Sequence, residues 1–149
     1  TEGEAGFSNR TQTTKPKKVF TQSEVDKVNY FFKKAFNFSE EKKYAKAVEY
    51  YDKVLSLVPE HFIAWYNKAN DLARLNKGEE AISCYSEAIK LHPTDSSYWT
   101  NKGLVLLLQR EYAKAVACFD ESLKLDPLNK TAKTYRSSAK EKQGENKFV

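Results

Sequence analysis

Several residue types are scarce in this chain of 149 residues, and each scarcity excludes a class of protein. Only five glycines and four prolines are present, too few for a loop-rich all-β fold. No apolar run approaches the roughly 18 residues that a membrane-spanning helix requires, and no signal-peptide pattern opens the chain. Methionine is absent altogether, including at the first position, so we expect a processed chain or a piece of a longer protein.

Residues that catalyse reactions or bind metals are equally sparse. The two histidines, His61 and His92, both lie near prolines, and no partner that would orient either ring is evident. Two cysteines, Cys84 and Cys118, are too few for a metal site. Helices pack about 8–10 Å apart, beyond the Cα separation of about 7 Å that a disulfide tolerates. We therefore expect no enzymatic activity, no cofactor and no metal, and buried thiols in a reducing, cytoplasmic compartment.

The net charge of +5 is concentrated at the two ends of the chain. Four basic residues exceed two acidic ones in residues 1–18, and six exceed two in residues 130–149, which leaves the middle close to neutral. Short basic runs are most often solvated tails. Nucleic acid is therefore not the expected partner.

A period of 34 residues organises the rest of the chain. Pro59, Pro93 and Pro127 are 34 apart, and they close the similar phrases "VLSLVP", "AIKLHP" and "SLKLDP". Alignment on these prolines also aligns a leading aromatic residue, a small residue and a second aromatic residue (Phe31, Trp65 and Trp99; Ala35, Ala69 and Gly103; Tyr51, Tyr85 and Phe119). A fixed period of this length indicates stacked supersecondary units.

Each period predicts two antiparallel helices. Apolar residues stand at i, i+4 and i+7 in both halves of the first repeat (Phe31, Ala35 and Phe38; then Ala47, Tyr51 and Val54). The small residue in the first helix lets the two helices approach closely, and the aromatic residue of the second helix fills the volume opposite. The proline ends the second helix because it lacks an N–H donor and clashes with the preceding turn.

This pattern resembles the tetratricopeptide repeat, with three copies over residues 28–61, 62–95 and 96–129. The family frame has Trp, then Gly or Ala, Tyr, Ala, Phe or Tyr, Ala, and Pro. The first repeat departs from it at Phe31 and Val54, as is common in terminal repeats. The resemblance implies an all-α fold, a right-handed α-solenoid of three helix-turn-helix repeats with a capping helix.

Both flanks extend this unit, and we expect one tetratricopeptide domain over residues 19–144. Thr21 and Glu24 have the spacing of a capping box, so the first helix starts before the repeat frame requires. Residues 1–18 have little to bury and should be disordered. After a cap at Asn129, the resemblance implies a capping helix over about 130–143 with an apolar stripe of Ala132, Tyr135 and Ala139, followed by a frayed tail, 145–149.

In this family the first helices of successive repeats line a concave groove. Trp65, Ala69 and Leu72 would face the core, so the opposite side of their helix would face the groove. Amide side chains both donate and accept hydrogen bonds, which suits the backbone of an extended peptide. The candidate peptide-binding residues are Phe32, Phe36, Ile63, Tyr66, Asn67, Asn70, Arg74, Asn101, Leu104 and Leu108. Replacing Asn67 and Asn101 by alanine should hardly disturb folding, because alanine is the better helix former.

Some tetratricopeptide domains hold the C-terminal carboxylates of heat-shock chaperones with a clamp of lysines, asparagines and an arginine. Asn67 matches one asparagine of that clamp. The other four clamp places hold Phe32, Phe36, Ser97 and Asn101, none of which is basic. The resemblance therefore does not extend to a carboxylate clamp.

The resemblance implies a protein–protein interaction module, a scaffold or co-chaperone-like adaptor that binds a peptide segment of a partner protein in its groove. Two alternatives stay open. The chain could self-associate into a homo-oligomer through an apolar groove lined by Phe32, Phe36, Leu104, Leu107 and Leu108. It could also be the regulatory arm of a larger protein.

Overall fold

The computed structural model describes residues 16–145, which form seven α-helices and no strand. The helices are α1 (Gln22–Glu40), α2 (Tyr44–Leu57), α3 (Phe62–Arg74), α4 (Gly78–Leu91), α5 (Ser96–Leu108), α6 (Tyr112–Leu125) and α7 (Lys130–Glu145). The predicted all-α array of three helix pairs and a closing helix is confirmed. Most of the two predicted tails, 1–18 and 145–149, lies outside the described residues.

The helices stack as three hairpins, α1 with α2, α3 with α4, and α5 with α6. The first helix of each hairpin also contacts the first helix of the next, so α1 touches α3 and α3 touches α5. Within residues 16–145, the second helices α2, α4 and α6 make no such contact with one another. The array therefore curves toward α1, α3 and α5, and we call the side that they line the inner face.

The turn inside each hairpin has the same backbone geometry. Lys42, Asn76 and Arg110 are 34 residues apart, and all three have left-handed φ angles of 59°, 60° and 64°. In the first turn, the N–H of the next residue, Lys43, donates to the carbonyl of Phe38 at 2.8 Å, and the other two turns repeat this bond at 2.9 Å. This is a Schellman ending, which usually places glycine at the left-handed position. The lysine and the arginine at two of these positions did not indicate a Schellman ending in the sequence.

A small residue faces a large aromatic ring in the core of each repeat, as predicted. Tyr51, Tyr85 and Phe119 are all buried. A Cβ atom added at Gly103 would lie 2.7 Å from Cε1 of Phe119, so this position has no room for alanine without a shift of the ring. Burial of one such aromatic side chain contributes about 1.5–3 kcal/mol to stability.

The predicted ends of the array are largely confirmed. Thr21 and Glu24 form the capping box, with the Thr21 N–H donating to Glu24 Oε2 at 2.9 Å. At the other end, Asn129 Oδ1 accepts from the backbone N–H of Ala132 at 3.0 Å. The apolar stripe of α7 is narrower than predicted, because Ala132 and Ala139 are fully buried whereas Tyr135 is 42% exposed.

A buried polar cluster holds the closing helix to the third repeat. The hydroxyls of Thr100 and Ser122 are 2.7 Å apart, and Asn129 Nδ2 donates to them at 3.1 Å and 3.3 Å. Asn129 thus caps α7 with its oxygen and binds α5 and α6 with its nitrogen. Ser122, a departure from the alanine of the family frame, is explained by this contact.

Candidate binding groove

A cavity of about 690 Å³ opens on the inner face, and we call it the groove cavity. It is lined by the C-terminal end of α1, the turn after it and the first residue of α2, by residues of α3 and α5, and by one residue of α4. Five of the ten predicted groove residues form part of its wall: Asn70, Arg74, Asn101, Leu104 and Leu108. Ser39, Asp71, Tyr85 and Val105 also line it, and the sequence did not single them out as groove residues.

The polar side chains of the groove cavity are bonded to one another. Asn101 Nδ2 donates to the Tyr66 hydroxyl at 2.9 Å and to Asn70 Oδ1 at 3.1 Å, and the Tyr85 hydroxyl donates to the same Asn70 oxygen at 2.6 Å. A side-chain amide nitrogen carries only two hydrogens, so both donors of Asn101 are in use. These bonds argue against the expectation that Asn101 can be removed without disturbing folding.

Aromatic rings pack against one another beside this network and hold its tyrosine side chains in place. The Tyr66 ring stacks on that of Tyr98, with centroids 4.5 Å apart and planes at 27°, and it lies 6.0 Å from the Tyr85 ring. Burial raises the pKa of Tyr85 far above its usual range, so its hydroxyl keeps its proton and remains a donor. Tyr66 is thus placed on the inner face but is held by both its ring and its hydroxyl.

Phe32 and Asn67 do not line the groove cavity. The half-buried Phe32 ring packs against Tyr51 at 5.8 Å and stacks on His61 at 5.1 Å. Burial raises the pKa of Tyr51 to about 12, and the charge of Asp71 acts in the same direction. Phe32 therefore has structural partners of its own.

Several of the predicted residues are apolar and at least partly exposed. Leu108 is 84% exposed at the end of α5, Phe36 is 48% exposed on α1, and Ile63 is 43% exposed on α3. Leu104 is half-buried, packs against the core and also lines the groove cavity. Exposed apolar side chains beside a cavity are typical of surfaces that bind a partner.

Asp71 is a groove residue that the sequence pattern did not reveal. It is only 2% exposed, and its Oδ1 accepts a hydrogen bond from Ser39 Oγ at 2.6 Å. Its other oxygen, Oδ2, has no hydrogen-bond partner in the described part of the chain. Burial raises the pKa of Asp71 to about 6, despite the opposing effects of the Ser39 hydrogen bond and the Arg74 charge. The 34-residue period places Val105 at the equivalent position, and that contrast was the available signal.

A second cavity, of about 550 Å³, lies on the side of the array opposite the inner face, and we call that side the outer face. It is lined by α4, α5 and α6, and its apolar wall includes Ile82, Trp99, Leu106 and Cys118. Cys84 and Cys118 are buried free thiols, and burial raises the pKa of each of them. This cavity makes the outer face the natural comparison in any test of the groove.

Metal-binding clusters and membrane-spanning helices are both absent from residues 16–145. No three side chains of the metal-binding types (His, Cys, Asp and Glu) in this range lie close enough together to hold a metal ion. No helix in the same range combines the length and apolar character needed to cross a bilayer.

Comparison with known proteins identifies the repeat. Two family models, both described as tetratricopeptide repeat, match residues 28–61 and 66–130. No curated protein matches the chain in sequence.

Solved tetratricopeptide structures superpose closely on the chain. The Arabidopsis OM64 TPR domain is 21% identical, with a TM-score of 0.75 over 79% of this chain and 98% of that one. The second TPR domain of human RPAP3, solved in complex with an HSP70 peptide, is 25% identical, with a TM-score of 0.75 over 78% and 98%. An O-GlcNAc transferase mutant from Thermobaculum terrenum is 18% identical, with a TM-score of 0.71 over 80% of this chain and 23% of that one. Because the two family models together match more than half of its length, the chain belongs to the tetratricopeptide repeat family.

Proposed function

We propose that this chain is a non-enzymatic interaction module that binds a peptide segment of a partner protein on its inner face. The observation that carries the proposal is the groove cavity, whose wall includes the exposed apolar side chain of Leu108. The structural similarity to a human domain that was solved with a bound peptide supports it. The role would be that of a scaffold or adaptor in the cytoplasm, where Cys84 and Cys118 remain reduced.

Apolar contacts supply most of the affinity in this proposal. Leu104, Leu108 and Phe36 receive apolar side chains of the peptide, and each side chain that becomes fully buried contributes about 1.5–3 kcal/mol. The internal network leaves the Asn70 Nδ2 hydrogens and Asn101 Oδ1 to meet the peptide backbone. The network also fixes these amides in position before the peptide arrives, which lowers the entropic cost of binding.

The proposed partner differs from the acidic tail of a chaperone. Three of the clamp places hold Phe32, Phe36 and Ser97, and the Ser97 backbone N–H donates to the Asp95 side chain at 2.9 Å. The fourth, Asn101, has already donated both amide hydrogens. A carboxylate that loses its water needs charged or multiple donors in return, and these places offer none. The adaptor is therefore co-chaperone-like in fold but lacks a carboxylate clamp.

A displayed library of random peptides provides the test, because such a selection works before the natural partner is identified. Selected peptides are titrated into the wild-type chain and two variants by calorimetry. Leu108→Glu places a charge at the edge of the groove cavity and should weaken binding tenfold or more, about 1.4 kcal/mol. Ala117→Glu makes the matched change beside the outer cavity and should leave binding unchanged. The reverse pattern would place the binding surface on the outer face.

Self-association is a second candidate, and the exposure of Leu108 favours it. The Leu108 side chain, 84% exposed at the end of α5, would be covered if two copies met through their inner faces. Sedimentation velocity over a hundredfold range of concentration would reveal such a homo-oligomer. Leu108→Glu should then shift the population to monomer, whereas a chain that stays monomeric throughout would exclude this candidate.

A third candidate treats the chain as the regulatory arm of a larger protein. The Thermobaculum terrenum enzyme aligns with this chain over only 23% of its own length, so a tetratricopeptide unit of this size can be one part of a longer enzyme. The full reading frame that encodes this chain would decide between an arm and an independent module.

A further inference from the structure

We propose that the Asp71 carboxylate is an anchor for a lysine or arginine side chain of the peptide that occupies the groove. This inference rests on the proposed function and specifies the chemistry of the partner. Asp71 lies on α3 and lines the groove cavity, with one oxygen bound and one oxygen unbound. The unbound oxygen is the feature that points to a ligand.

The two carboxylate oxygens of Asp71 have different surroundings. Oδ1 accepts a hydrogen bond from Ser39, which fixes the orientation of the group between α1 and α3. Oδ2 is buried without a partner among residues 16–145. Arg74 lines the same cavity, and its charge is felt at Asp71, but it donates no hydrogen bond to either oxygen. A buried charge without a partner is costly, and a cation from outside the chain would remove that cost.

The fold itself does not require a carboxylate at this place. The 34-residue period puts Val105 at the equivalent position of the next repeat, where it is 7% exposed and packs in the core. An apolar side chain therefore fits the backbone of this fold at that position. Asp71 occupies its position at a cost to stability, which is typical of a residue that serves a binding site.

One other polar group of the cavity, the Asn101 side chain, also suits a ligand that donates hydrogen bonds. Asn101 has used both of its amide hydrogens, so the group it presents to a ligand is its acceptor oxygen, Oδ1. Asp71 Oδ2 and Asn101 Oδ1 are thus two acceptors in the wall of one cavity. An ammonium carries three donors and a guanidinium carries five. A lysine or arginine side chain could meet both acceptors and still bond to water.

A cation can reach Asp71 only if side chains of the cavity wall move. Oδ2 is buried, but Arg74 and Leu108 in the same wall are exposed and can change rotamer without breaking the core. The aliphatic part of a lysine or arginine would then lie along Leu104 and Leu108, as long basic side chains often cover apolar surface. On binding, the ligand cation would bond directly to the Asp71 carboxylate, in place of the more distant charge of Arg74.

The test compares peptide selection on three forms of the chain. The random library is selected on wild type, on Asp71→Val, which copies the residue of the next repeat, and on Asp71→Asn, which keeps the shape. Peptides from wild type should carry lysine or arginine at one fixed place relative to the apolar residues. That enrichment should vanish on both variants. Selection on Glu40→Gln, which removes an exposed carboxylate of the same cavity, should still enrich lysine or arginine at that place.

A titration measures the contact itself. In the best wild-type peptide, replacement of the basic residue by norleucine should weaken binding to wild type by at least about tenfold, the loss expected for a charge-assisted hydrogen bond. The same replacement should change binding to Asp71→Asn by less than about threefold. Selected peptides without a fixed basic residue, or enrichment that persists on Asp71→Val, would overturn the anchor and leave the groove proposal standing. Failure to select any peptide would overturn both.

Discussion

The side-chain amide of Asn101 in α5 donates to the hydroxyl of Tyr66 in α3, across 2.9 Å and the boundary between two repeats. The same nitrogen donates to Asn70, which in turn accepts from Tyr85. Residues that look like a row of free peptide-binding groups are therefore a closed network that joins the second and third repeats. A partner would meet what this network leaves unbound, which is the Asn70 Nδ2 hydrogens, Asn101 Oδ1 and the apolar side chains of the cavity wall.

Asn101→Ala should destabilise the fold. The change removes two hydrogen bonds, each worth about 0.5–1.5 kcal/mol, and it leaves the Asn70 oxygen with one donor fewer. The helix propensity of alanine returns about half a kcal/mol, so we expect a net loss of about 1–2 kcal/mol in the free energy of unfolding by urea denaturation. Asn29→Ala, an exposed asparagine of α1, is the matched control and should be neutral or slightly stabilising. Equal effects of the two changes would contradict the network.

Asp71→Asn should stabilise the chain at neutral pH. The pKa of Asp71 is raised to about 6 in the folded state, so the folded state binds the proton more tightly than the unfolded state. Stability from this group is present at low pH and is lost as the pH rises through about 6. The variant should therefore gain up to about 3 kcal/mol near pH 7.5 and less than about 1 kcal/mol near pH 4.

The control for this prediction is an exposed carboxylate. Asp52 lies 2.6 Å from the Lys68 ammonium and is about half exposed. Asp52→Asn should give no gain in stability near either pH, because exposed ion pairs contribute only about 0–1 kcal/mol. Thermal unfolding of both variants at the two pH values measures the difference. A pH-independent effect of Asp71→Asn would show that the buried carboxylate carries no cost.

Two glycine-to-alanine changes should have different outcomes. At Gly103 the new methyl group would meet the buried Phe119 ring, and overpacking of this kind costs about 1–3 kcal/mol. Alanine recovers up to about 1 kcal/mol of helix propensity, so the net effect on the unfolding free energy should be a loss of about 1–2 kcal/mol. Gly144 has open space around its Cβ position, and Gly144→Ala should be neutral or stabilising. If Gly103→Ala is also neutral, α5 and α6 can move apart to accommodate the added methyl group, and the predicted cost of overpacking against Phe119 is absent.

Acidic chaperone tails should bind poorly. The clamp places lack cations, and the donors of Asn101 are occupied. Calorimetric titration with a peptide that ends in EEVD should give a Kd no tighter than roughly millimolar, about 4 kcal/mol. A basic, apolar peptide from the library selection is the positive control in the same buffer. Micromolar binding of the acidic tail would show that other cations, such as Lys42 and Arg74, act in place of the clamp.

The repeat period made the fold predictable from the sequence. Three prolines at equal intervals set the helix ends, and the small residue opposite an aromatic ring set how each pair of helices packs. Gly103 and Phe119 illustrate this, because their columns alone predicted a contact that the structure shows. Local signals also sufficed for Thr21 and Asn129, since a cap depends on residues only three positions away.

The groove was less predictable, because its side chains choose partners from other repeats. Asn101 bonds to residues 31 and 35 positions earlier, and Ser39 bonds to a residue 32 positions later. A helical period shows which face a residue occupies, but it does not show which groups on that face satisfy one another. Asp71 was missed for the same reason: its contrast with Val105 is visible in the sequence, but its bond to Ser39 and its unbound oxygen are not.

The most direct test of the binding surface is chemical-shift mapping of the ¹⁵N-labelled chain with a library-selected peptide. The largest shifts should fall on the inner face, at the backbone amides of Arg74, Leu104 and Leu108 and at the side-chain amides of Asn70 and Asn101. The outer cavity, around Ala117 and Cys118, should show little change. Shifts concentrated on the outer cavity, with the Asn70 and Asn101 signals unmoved, would contradict the proposal that the inner face binds the partner.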